Sequence, residues 1–256
     1  MKNINKINSL NIDCNIKYKK NKFVNGLFKR KEQIINSFKL NRYFYFTLFV
    51  CLIVIYLKDY KYIYRANHSK YIFMLLSSLV LVSFWGWYVH YLSHYLCFVD
   101  FYKKCNKEFF NRKTDTTIDH ILIQIFTYVF DFHDTIHHNS NINKQWTNLI
   151  GEFIGNFWYE GLSLYFFFYV LNIEHLINFS VCFLWALTYA SAHVVNYYFE
   201  NPLCHTQHHL NPKTNFGIDT LDVIMGTKYD LNCLEDFNHV SINLIVITFI
   251  IYYFNI

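Results

Sequence analysis

The chain has 256 residues, of which 54% are hydrophobic and 21% aromatic but only 16% charged, which argues against an ordinary soluble domain with about a quarter of its residues charged. Only 7 Gly and 2 Pro interrupt the apolar blocks, so the composition points to a membrane. The net charge of +5 is uneven: residues 1–42 hold 11 Lys+Arg against 2 Asp+Glu, and the remainder 12 against 16.

A basic stretch ahead of the first apolar block fits a cytosolic flank, so residues 1–42 are expected to form a basic, poorly ordered cytosolic arm. No nucleic-acid-binding fold follows it, and no nucleic-acid partner is expected. No apolar run opens the chain, so no cleaved signal peptide is expected. The 7 Cys are scattered, with no Cys-x-x-Cys pair, which speaks against a disulfide framework or a zinc ribbon.

Tyr43–Leu57 is an uncharged apolar run, slightly short of the roughly 20 residues a crossing needs. After a polar link with Lys58, Asp59, Lys61, Arg65 and Lys70, Tyr71–Val89 reads as a second crossing that runs directly into His90 and His94. A charged loop is expected over Asp100–Asp119, then a short apolar piece, Ile121–Phe130. Asn148–Leu171 and Leu176–Phe199 read as a helical hairpin turned by Asn172-Ile-Glu-His175. Ser241–Phe254 is an apolar tail that fits a re-entrant, interfacial or crossing helix. The expected fold is all-α: a multi-pass membrane helical bundle with a histidine-rich helical cap on the cytosolic face. Its domain would span 43–230, and the membrane-associated tail 231–256.

Three short boxes concentrate the histidines: His90-Tyr-Leu-Ser-His94, His133-Asp-Thr-Ile-His137-His138 and His205-Thr-Gln-His208-His209. They hold 8 of the 13 histidines in 16 positions, where the average frequency would place about one. Positions i, i+3 and i+4 of a helix share one face, so each box aims its imidazoles at one point. Eight converging imidazoles exceed the needs of one ion, and two metals is the natural count. With a cytosolic N-terminus, crossing two helices before the first box and a hairpin between the second and third puts all three boxes on the cytosolic side. His193, near the end of the hairpin's second helix, reaches the same level as a ninth candidate ligand.

Histidine-only boxes differ from the Cys-rich structural zinc sites and from the carboxylate-rich di-iron bundles. At a bilayer surface they suit iron that activates O2 to oxidise an unactivated C–H bond, yielding an alcohol or an alkene. Candidate groups for orienting ligand rings are Asp134 and Asp222, with Asp131 and Asp219 also in reach. Glu152 and Glu160 fall within the hairpin's first apolar helix, where a carboxylate is costly; Glu152, near the cytosolic end, has snorkelling to solvent as its plain reading. Cys204 reads as a buried thiol. His68, His175 and His239 read as surface or interfacial residues, and His120 stands alone.

These residues resemble the fatty acid hydroxylase/sterol desaturase superfamily of membrane histidine-box di-iron oxygenases, over roughly Tyr71 to Thr227. The three boxes occur in the family's order. The run His208-His209…Asn215-Phe216-Gly217…Asp222-Val-Ile-Met-Gly226-Thr227 is similar to the family's ending, His-His…Asn-Tyr-Gly…Trp-Asp-x-x-x-Gly-Thr. The resemblance implies that His90, His94, His133, His137, His138, His205, His208 and His209 bind two iron ions, for which zinc can substitute in isolated protein. His193 resembles the family's isolated upstream histidine, and Asp222 its closing aspartate, in a structural or ring-orienting role. It further implies a lipid substrate (sterol, sphingolipid or fatty acyl), cytochrome b5 or an NAD(P)H-dependent reductase as electron donor, and the endoplasmic reticulum as location.

The chain departs from the family pattern in five places: three residues separate His133 from His137 where two are usual, Leu221 stands where Trp precedes the aspartate, 38 residues separate His94 from His133, no His-Pro-x-Glu follows the second box, and Asn196 or Tyr197 stands where a second histidine near His193 is usual. Two rival readings are a histidine-rich membrane metal transporter and a non-catalytic relative. Boxes at helix ends speak against a mid-bilayer transport site, and the full ligand set speaks against lost catalysis.

Overall fold

The computed structural model describes residues 29–63, 67–139, 141–200 and 202–256, with the side chains of residues 61–63 and 200 undescribed. Among these residues the structure is helical without strands. Residues 29–40 form helix α1, followed by α2 (Arg42–Ile63), α3 (His68–Ser93), α4 (Phe98–Phe109), α5 (Thr117–Ile125), α6 (Trp146–Phe157), α7 (Ser163–Val170), α8 (Phe179–Ser191), α9 (Tyr197–Glu200), α10 (Leu203–Leu210), α11 (Asp219–Met225) and α12 (Ser241–Phe254).

Three helical stretches are long and apolar enough to cross a membrane: Arg42–Tyr60, His68–Ser93 and Phe179–Phe199. α2 is apolar all round, with Phe44, Leu48 and Ile55 inward and Phe46, Phe49 and Leu57 outward. α3 likewise turns Phe73, Leu76 and Val80 outward while burying Ser78 and His90. Polar groups inside an apolar exterior are the reverse of a soluble helix and suit contact with lipid. The core forms where α2, α3, α7, α8 and α12 meet, around Leu48, Ile55, Val82, Leu164, Val181, Leu184, Leu244 and Ile251.

Side-chain caps set the helix starts. Asn238 Oδ1 accepts the backbone N–H groups of Tyr43 and Phe44, each at 3.1 Å, which caps α2 and ties its start to the C-terminal segment. Asn178 does the same for α8 through Val181 N at 3.0 Å. At the far end Ser180 Oγ donates to Ile256 O at 2.6 Å, and Lys58 reaches the same carbonyl. α12 therefore runs alongside α2, starting at the histidine end and finishing opposite it. At 14 residues it remains shorter than an ordinary crossing.

Two expectations about polar segments change. The arm is not wholly irregular: 29–40 is helical, and Ser37, with no exposed surface, shares a 3.0 Å hydrogen bond with Thr220. Residues 1–28 lie outside the described residues. The charged loop over Asp100–Asp119 contains α4, whose first N–H groups, Phe98 N and Val99 N, donate to Asp131 at 2.8 Å each. Asp131 is thus occupied as a helix cap and is not a partner of a histidine ring.

The hairpin's first limb is one continuous rod, α6, a π turn over Trp158–Leu162, then α7. A π turn frees a carbonyl, and here Tyr159 O accepts from Trp85 Nε1 at 3.1 Å and from Ser163 Oγ at 2.9 Å. The rod packs closely at this level: a Cβ on Gly161 would lie 2.3 Å from Ala186 Cβ, and one on Gly86 2.7 Å from Glu160 O. Glycine lets α3, the rod and α8 approach to backbone distance.

Candidate metal centre

All eight box histidines and His193 converge at one end of the bundle. His90 and His94 close α3, and His205, His208 and His209 lie on α10. His193 sits in a π turn at Ala192–Asn196. The second box is also a π turn, His133–His137, closed by His138 N donating to His133 O at 3.2 Å. This corrects the expectation of a plain α-helical box and accounts for its spacing. The wider i→i+5 turn takes up the extra residue, and His133 and His138 still bring their Nε2 atoms to 3.3 Å.

The candidate ligand atoms fall into two main groups, bridged by a third. His90, His94, His133 and His208 can each offer a ring nitrogen within 4.8 Å of the others, and so can His137, His205 and His209. His133, His137 and His138 form a further set between them, and His137, Glu152 and His193 another. The Nε2 of His208 lies 3.1 Å from that of His90 and 3.2 Å from that of His138, and those of His205 and His209 are 3.0 Å apart.

Protonation favours metal binding. His208 Nδ1 donates to Thr214 O at 2.6 Å, which leaves its Nε2 bare toward the other rings. Burial holds the His209 pKa down at about 4 and that of His137 at about 3, and it depresses those of His133, His138 and His205 as well; neighbouring imidazoles add to the effect. Neutral rings with converging bare nitrogens repel unless a cation lies among them. The His94 Nε2 and His138 Nδ1 atoms are buried without a partner. The donor set therefore fits transition-metal ions of the kind imidazole binds, and two groups fit two ions.

Carboxylates surround this cluster, though not as expected. Glu152 is buried, not snorkelling: its Oε2 lies 2.9 Å from His137 Nδ1 and its Oε1 3.2 Å from His193 Nε2. Glu160 lies 3.8 Å from His90 Nδ1, which also meets Tyr189 Oη at 3.0 Å. Asp134 does reach a ligand ring, His94 Nδ1 at 3.4 Å, but from an exposed position.

Asp222 touches no histidine; of its two expected roles, structural support and ring orientation, its contacts fit the first. It accepts from Phe216 N at 2.9 Å, Gly217 N at 3.1 Å, Trp87 Nε1 at 3.2 Å and Thr227 Oγ1 at 2.6 Å. It thereby pins the loop that seats the buried Phe216 ring behind His90, His94 and His208, with centroids at 5.7, 5.8 and 6.0 Å. Asp219 pairs with Lys228 away from the rings, and Lys228 also lies 2.8 Å from the buried Cys204 thiol. His68 hydrogen-bonds Tyr56 at 3.0 Å at the opposite end of α3. His120 and His175 are exposed, and His239 joins none of these groups.

Asn156 escaped the sequence reading. Asn148, Glu152, Asn156 and Glu160 are all buried at four-residue intervals along the rod, a polar stripe in an apolar segment that its spacing made visible. A cavity of about 300 Å³ lies between this stripe, α3 and the 128–133 segment, reaching His90 and His133. Its rim includes Tyr128, Val129, Ile154 and Trp158, all exposed apolar side chains.

No protein-family model, no curated protein and no solved structure matches this chain.

Proposed function

We propose that this protein is a membrane-bound di-iron oxygenase that hydroxylates or desaturates a lipid, using O2 and electrons from cytochrome b5 or a reductase. The observation that carries this reading is the convergence of the eight box histidines into two groups of neutral imidazoles bridged by His138, backed by Glu152 and Glu160, at the end of an apolar bundle. The resemblance of the boxes and of the Asn215-to-Thr227 ending to the fatty acid hydroxylase/sterol desaturase superfamily supports the same chemistry. Bound iron would supply O2 activation and C–H oxidation.

The chain's own residues do the positioning. His90, His94, His133 and His208, with His138, would hold one ion; His137, His205 and His209, with His193, the other. Glu152 orients His137 through its Nδ1 and lies beside the ring of His193. Glu160 and Tyr189 orient His90, and Phe216 shields the back of the cluster from water. The apolar-rimmed cavity admits a hydrophobic substrate from the side of the bundle. The basic N-terminal flank favours a cytosolic site in a multi-pass protein, with the endoplasmic reticulum as the proposed location.

Comparative lipidomics of cells carrying the protein or its His208→Ala variant tests the reading, together with the iron content of purified protein. A lipid that loses two hydrogens or gains one oxygen only with the intact protein is expected. An unchanged lipidome, or a protein that takes up no iron, would overturn it.

A further inference from the structure

The cavity beside His90 and His133 has an apolar wall and a polar floor. Gly155 faces open space, since a Cβ there would meet nothing within 4 Å, whereas one on Gly151 would press 3.0 Å from the Phe132 ring. Two floor atoms, Asn156 Nδ2 and Glu160 Oε2, are buried with no hydrogen-bond partner, in side chains whose residues are 5% and 4% exposed. A buried amide donor without an acceptor is costly, and both residues line the same cavity. Their partner is therefore to be sought in a ligand.

Charge narrows what that ligand carries. Among the described residues no Lys or Arg lines the cavity, so a carboxylate or phosphate head would give up its hydration there without gaining a cation partner. A hydroxyl or a carboxamide can accept from Asn156 Nδ2 and donate to Glu160 Oε2 without adding charge. We propose that the cavity binds a neutral amphiphile by its hydroxyl or amide group, anchored on Asn156 and Glu160, with its hydrocarbon part along the Tyr128, Ile154 and Trp158 wall. Glu160 also reaches His90, so the anchored group sits next to the metal centre. On the oxygenase reading, from which this last step follows, the oxidised carbons lie within a few bonds of the polar group and not in mid-chain.

The test measures binding of tritiated 1-hexadecanol, hexadecane and hexadecanoate to the metal-free, full-length protein in phosphatidylcholine nanodiscs, with empty nanodiscs as background. The alcohol is expected to bind about ten-fold more tightly than the alkane, the worth of about one good buried hydrogen bond, and more tightly than the carboxylate. Asn156→Leu removes the preference for alcohol over alkane while alkane binding persists, which separates loss of the anchor from loss of the fold. Gly155→Phe weakens all three. Equal affinity of the intact protein for alcohol and alkane, or a preference retained in Asn156→Leu, overturns the anchor. The binding readout is taken without metal, so absence of iron-dependent lipid oxidation in the intact protein would refute the oxygenase reading without moving it.

Discussion

Removing the Asp222 carboxylate should loosen the metal centre from behind without touching a ligand. In Asp222→Ala, the N–H groups of Phe216 and Gly217 lose their acceptor, and Trp87 Nε1 keeps only its 3.3 Å bond to Thr227 Oγ1; each outright loss in a buried setting costs about 1–3 kcal/mol. Partial relaxation of the loop leaves an expected total of about 3–5 kcal/mol. Asp222→Asn is the discriminating variant. The Oδ1 atom serves Phe216, Trp87 and Thr227, while Oδ2 serves Gly217 alone. An amide turned with its oxygen toward the first three therefore sets its NH2 against a single N–H, at about 1–2 kcal/mol. Thermal scans in detergent, paired with metal analysis, should rank intact protein, Asn and Ala in that order, with metal content following stability. A wild-type melting curve for the Ala variant, or an Asn variant worse than Ala, would refute the reasoning.

Glu152→Gln should weaken metal affinity about 10- to 100-fold, read by competition with a chelator, while the melting temperature of the metal-free protein changes little; unaltered affinity would remove Glu152 from the site. Gly161→Ala places a methyl group 2.3 Å from Ala186 Cβ and should cost about 3 kcal/mol or more, whereas Gly155→Ala, in open space, should be neutral or slightly stabilising; similar thermal scans for the two would contradict the packing. The metal-free protein should lose stability as pH falls. Above about pH 6.5 the box histidines are neutral whether folded or unfolded. Below it the unfolded chain binds protons that His209 (about 4) and His137 (about 3) exclude when folded. Each such histidine contributes a loss of up to about 1.4 kcal/mol per pH unit until its folded pKa is reached, and a melting temperature flat between about pH 7 and 5 would refute it.

The meeting of the boxes at one end was legible because helix direction and the number of apolar runs between boxes fix it before any packing is known. The role of Glu152 was not. Its distance from solvent depends on how α6 lies against the His137 turn, and a carboxylate one turn from a helix end reads equally well as snorkelling. The Asp222 motif is legible as a pattern but leaves structural support and ring orientation both open, since its partners, two backbone N–H groups of a loop and the Trp87 and Thr227 side chains, are not described by sequence periodicity. Asp131 was misjudged for a similar reason: its acceptor role belongs to α4, a helix whose charged residues read as a loop. Glu160 is legible as a costly carboxylate in an apolar segment, whereas Asn156 stands out only through the four-residue polar rhythm it shares with Asn148, Glu152 and Glu160.

That rhythm has a geometric consequence. In a regular α-helix each four-residue step overshoots the turn by roughly 40°, so a stripe from Asn148 to Glu160 would wind away from its target and carry Leu164 round the rod. The π turn at Trp158–Leu162 widens one turn and resets the phase, and Asn148, Glu152, Asn156, Glu160 and Leu164 are all buried in one line. Single-residue insertions in helices are ordinarily disruptive because they rotate everything beyond them. Here the inserted residue straightens the line, so a deletion within 158–162 would turn Leu164 and the rest of the rod's second half out of the core while removing no histidine.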